Sequence, residues 1–504
     1  MYKYVLIDLT TMSKFLKKHL LPILLILLVL ATVSGVLIYK SRNTKLLDRE
    51  AYAEIKTALE AVRDSEEGGF ADRQSLADFI KQWADSHSLE YKEDKHGNII
   101  FDKSASGRKK NISPTLIAVS LNHETATDNI QVLASAAAIA VSDVESGRRT
   151  VVFFNDEQSL GEGYQGISKK YITSKTKVIY LDKGASNYIS TASFQHRESE
   201  VTIPAEREEN PCDTAVRVKI SGIDSGIIGP GINKRPDPIA ALSSLLTRLK
   251  SKSVVCRVAD VTIGSNGNMY PVSLDVTICL NSYNRKSFTD YIDKRIKAWD
   301  KSYRDNYENL IFEYEVLDDE DALPETAYSE ETTDKLTGIL YTINSGSYNY
   351  SENDAMPEGK EAGDVYGYNC LTGLNAGDDS IRLTVITEGV NDLFTERIMN
   401  DNKAAAELYK CKYDQKSFIK EFINDRDSLA RTFRNTYEKV NTIDTNEIRL
   451  GTETDNFFTP CSYLASKNGK ADIIHIRMKG SNATRIANTI LCYIKAKGNT
   501  SIFK

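Results

Sequence analysis

The longest apolar run in the chain is Leu20 to Tyr39 (LLPILLILLVLATVSGVLIY), uncharged throughout. About 20 such residues are enough to cross the hydrocarbon core of a bilayer as a helix. A cleaved signal peptide is the rival reading, since Lys14, Lys17 and Lys18 precede the run and Val33-Ser34-Gly35 offers small residues for cleavage. The run, however, continues through Val36, Leu37 and Ile38, where a signal peptide should turn polar. An uncleaved anchor over residues 20–39 is therefore expected, with a basic head at 1–19. Lys40, Arg42 and Lys45 nearly balance the lysines before the span, but a short basic head usually stays cytoplasmic, which places the bulk of the chain outside. Met12 is an alternative start that opens the basic head directly.

Beyond the run the pattern turns amphipathic. Leu46, Leu47, Ala51, Ile55, Leu59 and Val62 recur at helical spacing, and a second helix is expected over Gln74–Ser86. The period then changes. A short strand at Asn98–Phe101 and a continuous apolar strand at Thr115–Leu121 precede an alanine-rich helix from Asn129 to Val144. Strand Thr150–Phe154, helix Gly161–Tyr171 and strand Lys177–Leu181 follow. Alternating strands and helices, with β-branched strands buried on both faces, predict a doubly wound, mostly parallel α/β sheet. Such sheets gather ligands beyond the carboxyl ends of their strands. The residues there are Asn122-His123-Glu124, Asn155-Asp156-Glu157-Gln158 and Asp182. Those side chains suit metal-assisted hydrolysis, but strand ends are also exposed loops where carboxylates are common, and position alone favours the second reading.

A second zone begins near Pro211. Strands Ala215–Ile220, Val254–Ile263 and Val272–Leu280 with helices Pro238–Leu249 and Arg285–Trp299 predict an antiparallel sheet covered by helices on one face. The glycine-rich loop Ser221–Gly231 lacks the residues of a phosphate cradle. The stretches 317–334 and 344–369 read as exposed loops.

Composition adds exclusions. With 64 Lys+Arg against 70 Asp+Glu the net charge is −6, which gives no basis for a nucleic-acid partner. The seven cysteines contain no CxxC pair and are expected to be buried small hydrophobes. Histidine is scarce, at six. His475, inside the apolar strand Ile473–Ile476, reads as a satisfied core residue.

In order along the chain, Glu93-Asp94-Lys95-His96-Gly97-Asn98-Ile99, Asn155-Asp156-Glu157-Gln158-Ser159, Tyr180-Leu181-Asp182, Ser225-Gly226-Ile227-Ile228-Gly229, Asn268-Met269-Tyr270-Pro271 and Arg449-Leu450-Gly451-Thr452-Glu453 resemble motifs of one family. This is the aminoacylase/carboxypeptidase superfamily of di-zinc metallopeptidases, and the resemblance is closest to its aminoacyl-histidine dipeptidase branch. It implies a peptidase-like α/β domain in two parts, 45–212 and 416–504, interrupted by an α+β lid at 213–415 that often mediates dimers. It further implies Glu157 as general base, His123, Asp128 and Asp182 as zinc ligands, and Glu453 on the substrate.

The departures from the pattern matter more. Gln158 stands at a ligand glutamate and Arg449 at a ligand histidine, while Ile227 replaces the lid histidine. The remaining donors cannot close two zinc shells of about four ligands each. Expected, then, is a membrane-anchored, catalytically impaired protein that binds a peptide or protein, with zinc absent or reduced to one ion and a homodimer possible through the lid. The alternative is an active dipeptidase with a single zinc on His123, Asp128 and Asp182.

Overall fold

The computed structural model describes residues 45–106, 112–156, 161–224, 226, 228–229, 231–264, 270–318, 322–352, 361–424, 428–441, 451–453, 455 and 457–496. The apolar run 20–39 and its basic head lie outside these residues. Among the described residues no helix is long and apolar enough to cross a membrane.

An eight-stranded sheet runs in the order Lys92–Glu93, Ile99–Lys103, Arg149–Asn155, Thr115–Leu121, Lys177–Lys183, Asp472–Met478, Tyr188–Ser190, Gly451–Glu453. Its four central strands are parallel. Successive residues of Thr115–Leu121 enter opposite layers. Ile117, Val119 and Leu121 pack with the helices Arg49–Arg63, Arg73–Ser86, Ile130–Val141, Ser428–Asn441 and Ala483–Ala496. Leu116 and Ala118 face Tyr164, Ile167, Cys461 and Leu464 on the other side. Burial on both faces explains why this strand reads as an unbroken apolar run. The expected helix Gly161–Tyr171 is shorter, at Glu162–Gly166, because Gly161 enters it in a left-handed conformation and Gly166 ends its only full turn.

The second sheet is antiparallel throughout. It contains two copies of one βαββαβ unit. The first comprises strand Thr214–Ser221, helix Pro238–Ser251, strands Cys256–Gly264 and Ser273–Leu280, helix Ser282–Tyr303 and strand Ile311–Leu317. The second comprises strand Gln195–Pro204, helix Glu330–Thr342, strands Val365–Ala376 and Ser380–Gly389, helix Asp392–Leu408 and strand Lys412–Ile419. Both units share the order fourth, first, third, second strand. They meet where the second strand of one pairs with the second strand of the other, at Thr262 and Asn375. All four helices cover one face, contributing Leu242, Leu246, Ile292, Leu336, Ile339 and Ala406 to a common core. Pro238–Ser251 shows how sequence fixes such a helix. Asp237 caps its first turn by accepting the Ile239 and Ala240 N–H groups, Pro238 presets the first helical φ, and Ile239, Leu242, Leu245, Leu246 and Leu249 form the buried stripe.

Two expectations are corrected. The second sheet takes in Gln195–Pro204 and the whole of Lys412–Ile419, so it overruns the boundaries drawn at 213 and 415. The stretches 317–334 and 344–369 are not simply exposed loops. Thr326–Tyr328 pairs with Arg207–Glu209, Ser329 caps the helix that begins at Glu330, and Gly346–Asn349 pairs with Val365–Ala376.

Gly222 follows the strand Thr214–Ser221 with φ +75°, and a Cβ there would collide with the Asn309 carbonyl oxygen. Gly231 has φ +90° but no atom within 4 Å of its would-be Cβ. Gly222→Ala should lower stability by more than about 2 kcal/mol, and Gly231→Ala only by the backbone strain of about 1 kcal/mol. Equal urea midpoints for the two variants would contradict the crowding at Gly222.

Candidate functional site

The carboxyl ends of the central strands bring four ionisable side chains together. The parallel register sets His475 beside Tyr180 and Arg477 beside Asp182. Because side chains alternate, His475 and Arg477 project to the same face as Tyr180 and Asp182. Asp455 reaches this face from the far edge, tied by its N–H to the Ala192 carbonyl.

His475 is only 1% exposed and sits between two carboxylates, Nδ1 at 2.9 Å from Asp455 Oδ2 and Nε2 at 3.6 Å from Asp182 Oδ2. Arg477 adds a second cation, 4.0 Å from Asp182 and 3.9 Å from Asp455. Its guanidinium lies 4.3 Å from the Phe457 ring centre. Tyr188 donates its hydroxyl to Asp455 Oδ1 at 3.1 Å, and the Lys183 N–H donates to Asp182 Oδ1 at 2.8 Å. At the carboxyl ends of the two neighbouring strands, Ser120 donates to Asp156 Oδ2 at 2.8 Å.

Burial opposes charge on all three titrating members, but their mutual contacts win. Burial alone would lower the His475 pKa, whereas its two carboxylate partners raise it above the ordinary value. Burial alone would raise Asp182 and Asp455, whereas His475 and Arg477 hold both below the usual carboxylate range. Stability contributed by a raised histidine is complete below about pH 6.5 and lost as pH rises through its folded value. Stability contributed by depressed carboxylates is complete above about pH 4 and lost as pH falls through theirs. Urea midpoints should therefore peak across mildly acidic pH, and His475→Gln should flatten the alkaline limb. An unchanged alkaline limb would show that the histidine is not the titrating group.

The residues expected from the sequence are distributed unevenly around this cluster. Asp182 is part of it. Asp128 is nearby but 78% exposed in its side chain, with Oδ1 4.0 Å from Lys183 Nζ. His123 opens the one-turn helix His123–Ala126, capped by Asn122. Glu453 ends the strand Gly451–Glu453, its backbone in register with Ser190. Glu157, Gln158, Arg449 and Ile227 lie outside the described residues. Missed from the sequence were Asp455, Arg477, Tyr188 and the place of His475 between two carboxylates; it is buried as expected and hydrogen-bonds Asp455 through Nδ1, with Nε2 turned toward Asp182. The signal was present in Asp472–Met478 (DIIHIRM), where two basic residues two positions apart share one face at a strand's carboxyl end.

A zinc ion on Asp182 or Asp455 would have to compete with His475, Arg477, Tyr188 and the Lys183 N–H for these carboxylates, and the two cations would repel it. Among the described residues no group of three or more His, Cys, Asp or Glu side chains is arranged to hold a metal ion.

A second buried pair lies where the lid meets the α/β domain. His196 Nδ1 is 3.1 Å from Glu388 Oε1, and Glu388 Oε2 accepts the Phe458 N–H at 3.1 Å. Phe457 and Phe458 thus join the two clusters, one ring on Arg477 and the other 4.8 Å from His196.

No protein-family model matches the chain, and no curated protein sequence matches it. Solved structures do. The aminoacylhistidine dipeptidase from Vibrio alginolyticus aligns with a TM-score of 0.55 at 13% identity, over 90% of this chain and 98% of that one. An aminopeptidase PepT from Bacillus cereus (TM-score 0.44, 9% identity, 90% and 100% covered) and a tripeptidase from Staphylococcus aureus (0.43, 8%, 90% and 99%) are further matches. At these identities the likeness to the dipeptidase is one of fold alone.

Proposed function

We propose that this is a dipeptidase-like protein of the aminoacyl-histidine branch in which a network of ion pairs replaces the metal centre, and which binds a peptide or protein without hydrolysing it. The observation that carries this reading is the engagement of Asp182 by His475 and Arg477 at the strand ends. A carboxylate held below its usual pKa by two such neighbours has its charge already matched. The substitutions Gln158 and Arg449 act in the same direction, removing a carboxylate and an imidazole from the implied ligand set. Residues 20–39 would tether the protein to a membrane with the folded part outside. Self-association through the lid would need its outer strands Ile311–Leu317 or Lys412–Ile419, because the inner edges of its two units are paired with each other.

Zinc content and peptide hydrolysis of the full chain test the reading together. Less than one equivalent of zinc is expected after purification. Cleavage of an aminoacyl-histidine dipeptide, with zinc, manganese or cobalt added, should not exceed that of Glu157→Gln. Stoichiometric zinc, or hydrolysis that Glu157→Gln abolishes, would instead establish the single-metal enzyme built on His123, Asp128 and Asp182.

A further inference from the structure

The chain enters the α/β domain at one particular edge. Leu46 and Leu47 donate their N–H groups to Asn488 Oδ1, and the Asp48 N–H donates to Ser142 Oγ at 3.3 Å. Ser142 closes the helix Ile130–Val141, ahead of the strand Arg149–Asn155. Thr115 pairs in register with Arg149 and Lys177, and Lys177 with Asp472, so the four parallel strands all begin at this edge. Only residues 40–44 separate Lys45 from the apolar run that ends at Tyr39. Fully extended, that link reaches about 20 Å, and four strand starts side by side span about 15 Å.

Charge differs between the two edges of the sheet. At the starting edge, the described residues 45–48, 102–106, 112–114, 142–149, 167–177 and 467–472 hold ten Lys or Arg against five Asp or Glu. From the last residue of each parallel strand onward, the described residues 121–129, 155–156, 161–162, 183–187 and 478–482 hold two Lys against four Asp or Glu. The cationic excess therefore occupies one edge of a chain whose net charge is −6. Lys169, Lys170, Lys175 and Lys470 are exposed there. Lys170 Nζ and the Arg148 guanidinium lie 4.8 and 5.2 Å from the Tyr171 ring centre. Burial, and then the neighbouring Lys169, hold the Lys467 ammonium below its ordinary pKa, so like charges crowd each other at this edge. An anionic surface laid against them relieves that repulsion.

We propose, resting on the tether of residues 20–39 put forward above, that the starting edge of the parallel sheet docks on the headgroups of an anionic bilayer. Attraction between exposed charges decays over about 10 Å at 0.1 M salt, so a cationic face gains from it only when held close to the membrane. A link this short, joined to this edge, holds it there. The strands are about 20 Å long, which places Asp182, His475 and Asp455 that much farther from the lipid and open to ligands arriving from solution.

Lysine footprinting of the full chain tests the docking face. The chain is reconstituted in vesicles of phosphatidylcholine, alone or with about three parts in ten phosphatidylglycerol. A membrane-impermeant acylating reagent is added, and modification of each lysine is read by mass spectrometry. Relative to Lys286, Lys301 and Lys403 of the lid, which are exposed, the edge lysines Lys169, Lys170, Lys175 and Lys470 should react at least about threefold more slowly on the anionic vesicles than on the neutral ones. Raising the salt to about 0.5 M should remove the difference. The variant Lys169→Glu/Lys170→Glu/Lys175→Glu should resist extraction by alkaline carbonate as the parent does, yet lose the protection of Lys470. Extraction of the parent by carbonate would sink the tether and the docking face together. A carbonate-resistant parent whose edge and lid lysines respond alike to anionic lipid would overturn the docking face alone, as would full protection of Lys470 in the triple variant.

Discussion

His475→Ala is expected to destabilise the protein by about 3–5 kcal/mol at pH 6. The side chain is 1% exposed, and its removal leaves Asp455, also 1% exposed, without its nearest cationic partner. Arg477 cannot substitute at once, because its contacts to Asp455 and Asp182 are 3.9 and 4.0 Å, at the limit of an ion pair. An uncompensated buried carboxylate either stays charged at high cost or takes up a proton, and both outcomes weaken the strand ends. Removing Asp455 as well should recover part of the loss. The double variant His475→Ala/Asp455→Ala should be less destabilised than the sum of the single variants by about 1–3 kcal/mol. Urea unfolding of the four proteins completes the cycle. A His475→Ala variant within about 0.5 kcal/mol of the parent would mean that the cluster does not stabilise this region, and the reading of Asp182 as an occupied carboxylate would fall with it.

Glu388→Ala should cost about 3 kcal/mol by a different route. One oxygen of Glu388 faces His196 and the other accepts the Phe458 N–H, with His196 1% and Glu388 5% exposed in their side chains. Truncation removes a shared acceptor at the seam between the lid and the α/β domain. Glu388→Gln keeps one acceptor and should cost nearer 1 kcal/mol. The two variants should also differ locally, with faster hydrogen exchange at the Phe458 amide in Glu388→Ala. Unchanged protection there would show that the hydrogen bond does not hold the seam.

The architecture was largely legible because its signals are local. Thr115–Leu121 and Lys177–Lys183 are buried apolar strands, and Asp237-Pro238 announces the start of a helix. The lid's duplication was not legible, since the two copies share a topology rather than a repeated sequence, and the first strand of one lies ahead of the whole of the other. At the site, Asp182 was readable from its place after an apolar strand. Its partners were not, because they come far later in the chain: His475 and Arg477 meet it only through the register of Asp472–Met478 against Lys177–Lys183, and Asp455 arrives from the far edge of the sheet. Periodicity shows which face a residue occupies, but not which distant strand lies next to it.

The way the chain enters and leaves the first lid unit has a consequence for rearranging the gene. Strands Thr214–Ser221 and Ile311–Leu317 are antiparallel neighbours, with Ala215 opposite Leu317, so the two ends of the unit emerge side by side. The unit is topologically a cassette that could be removed, exchanged or added with a short splice and no new span to bridge. Excision would remove the outer strand Ile311–Leu317 and uncover a new edge on Val365–Ala376 at Asn375. A half-lid version of this protein would then have to cap that edge, with a charge, a proline or a second copy of itself.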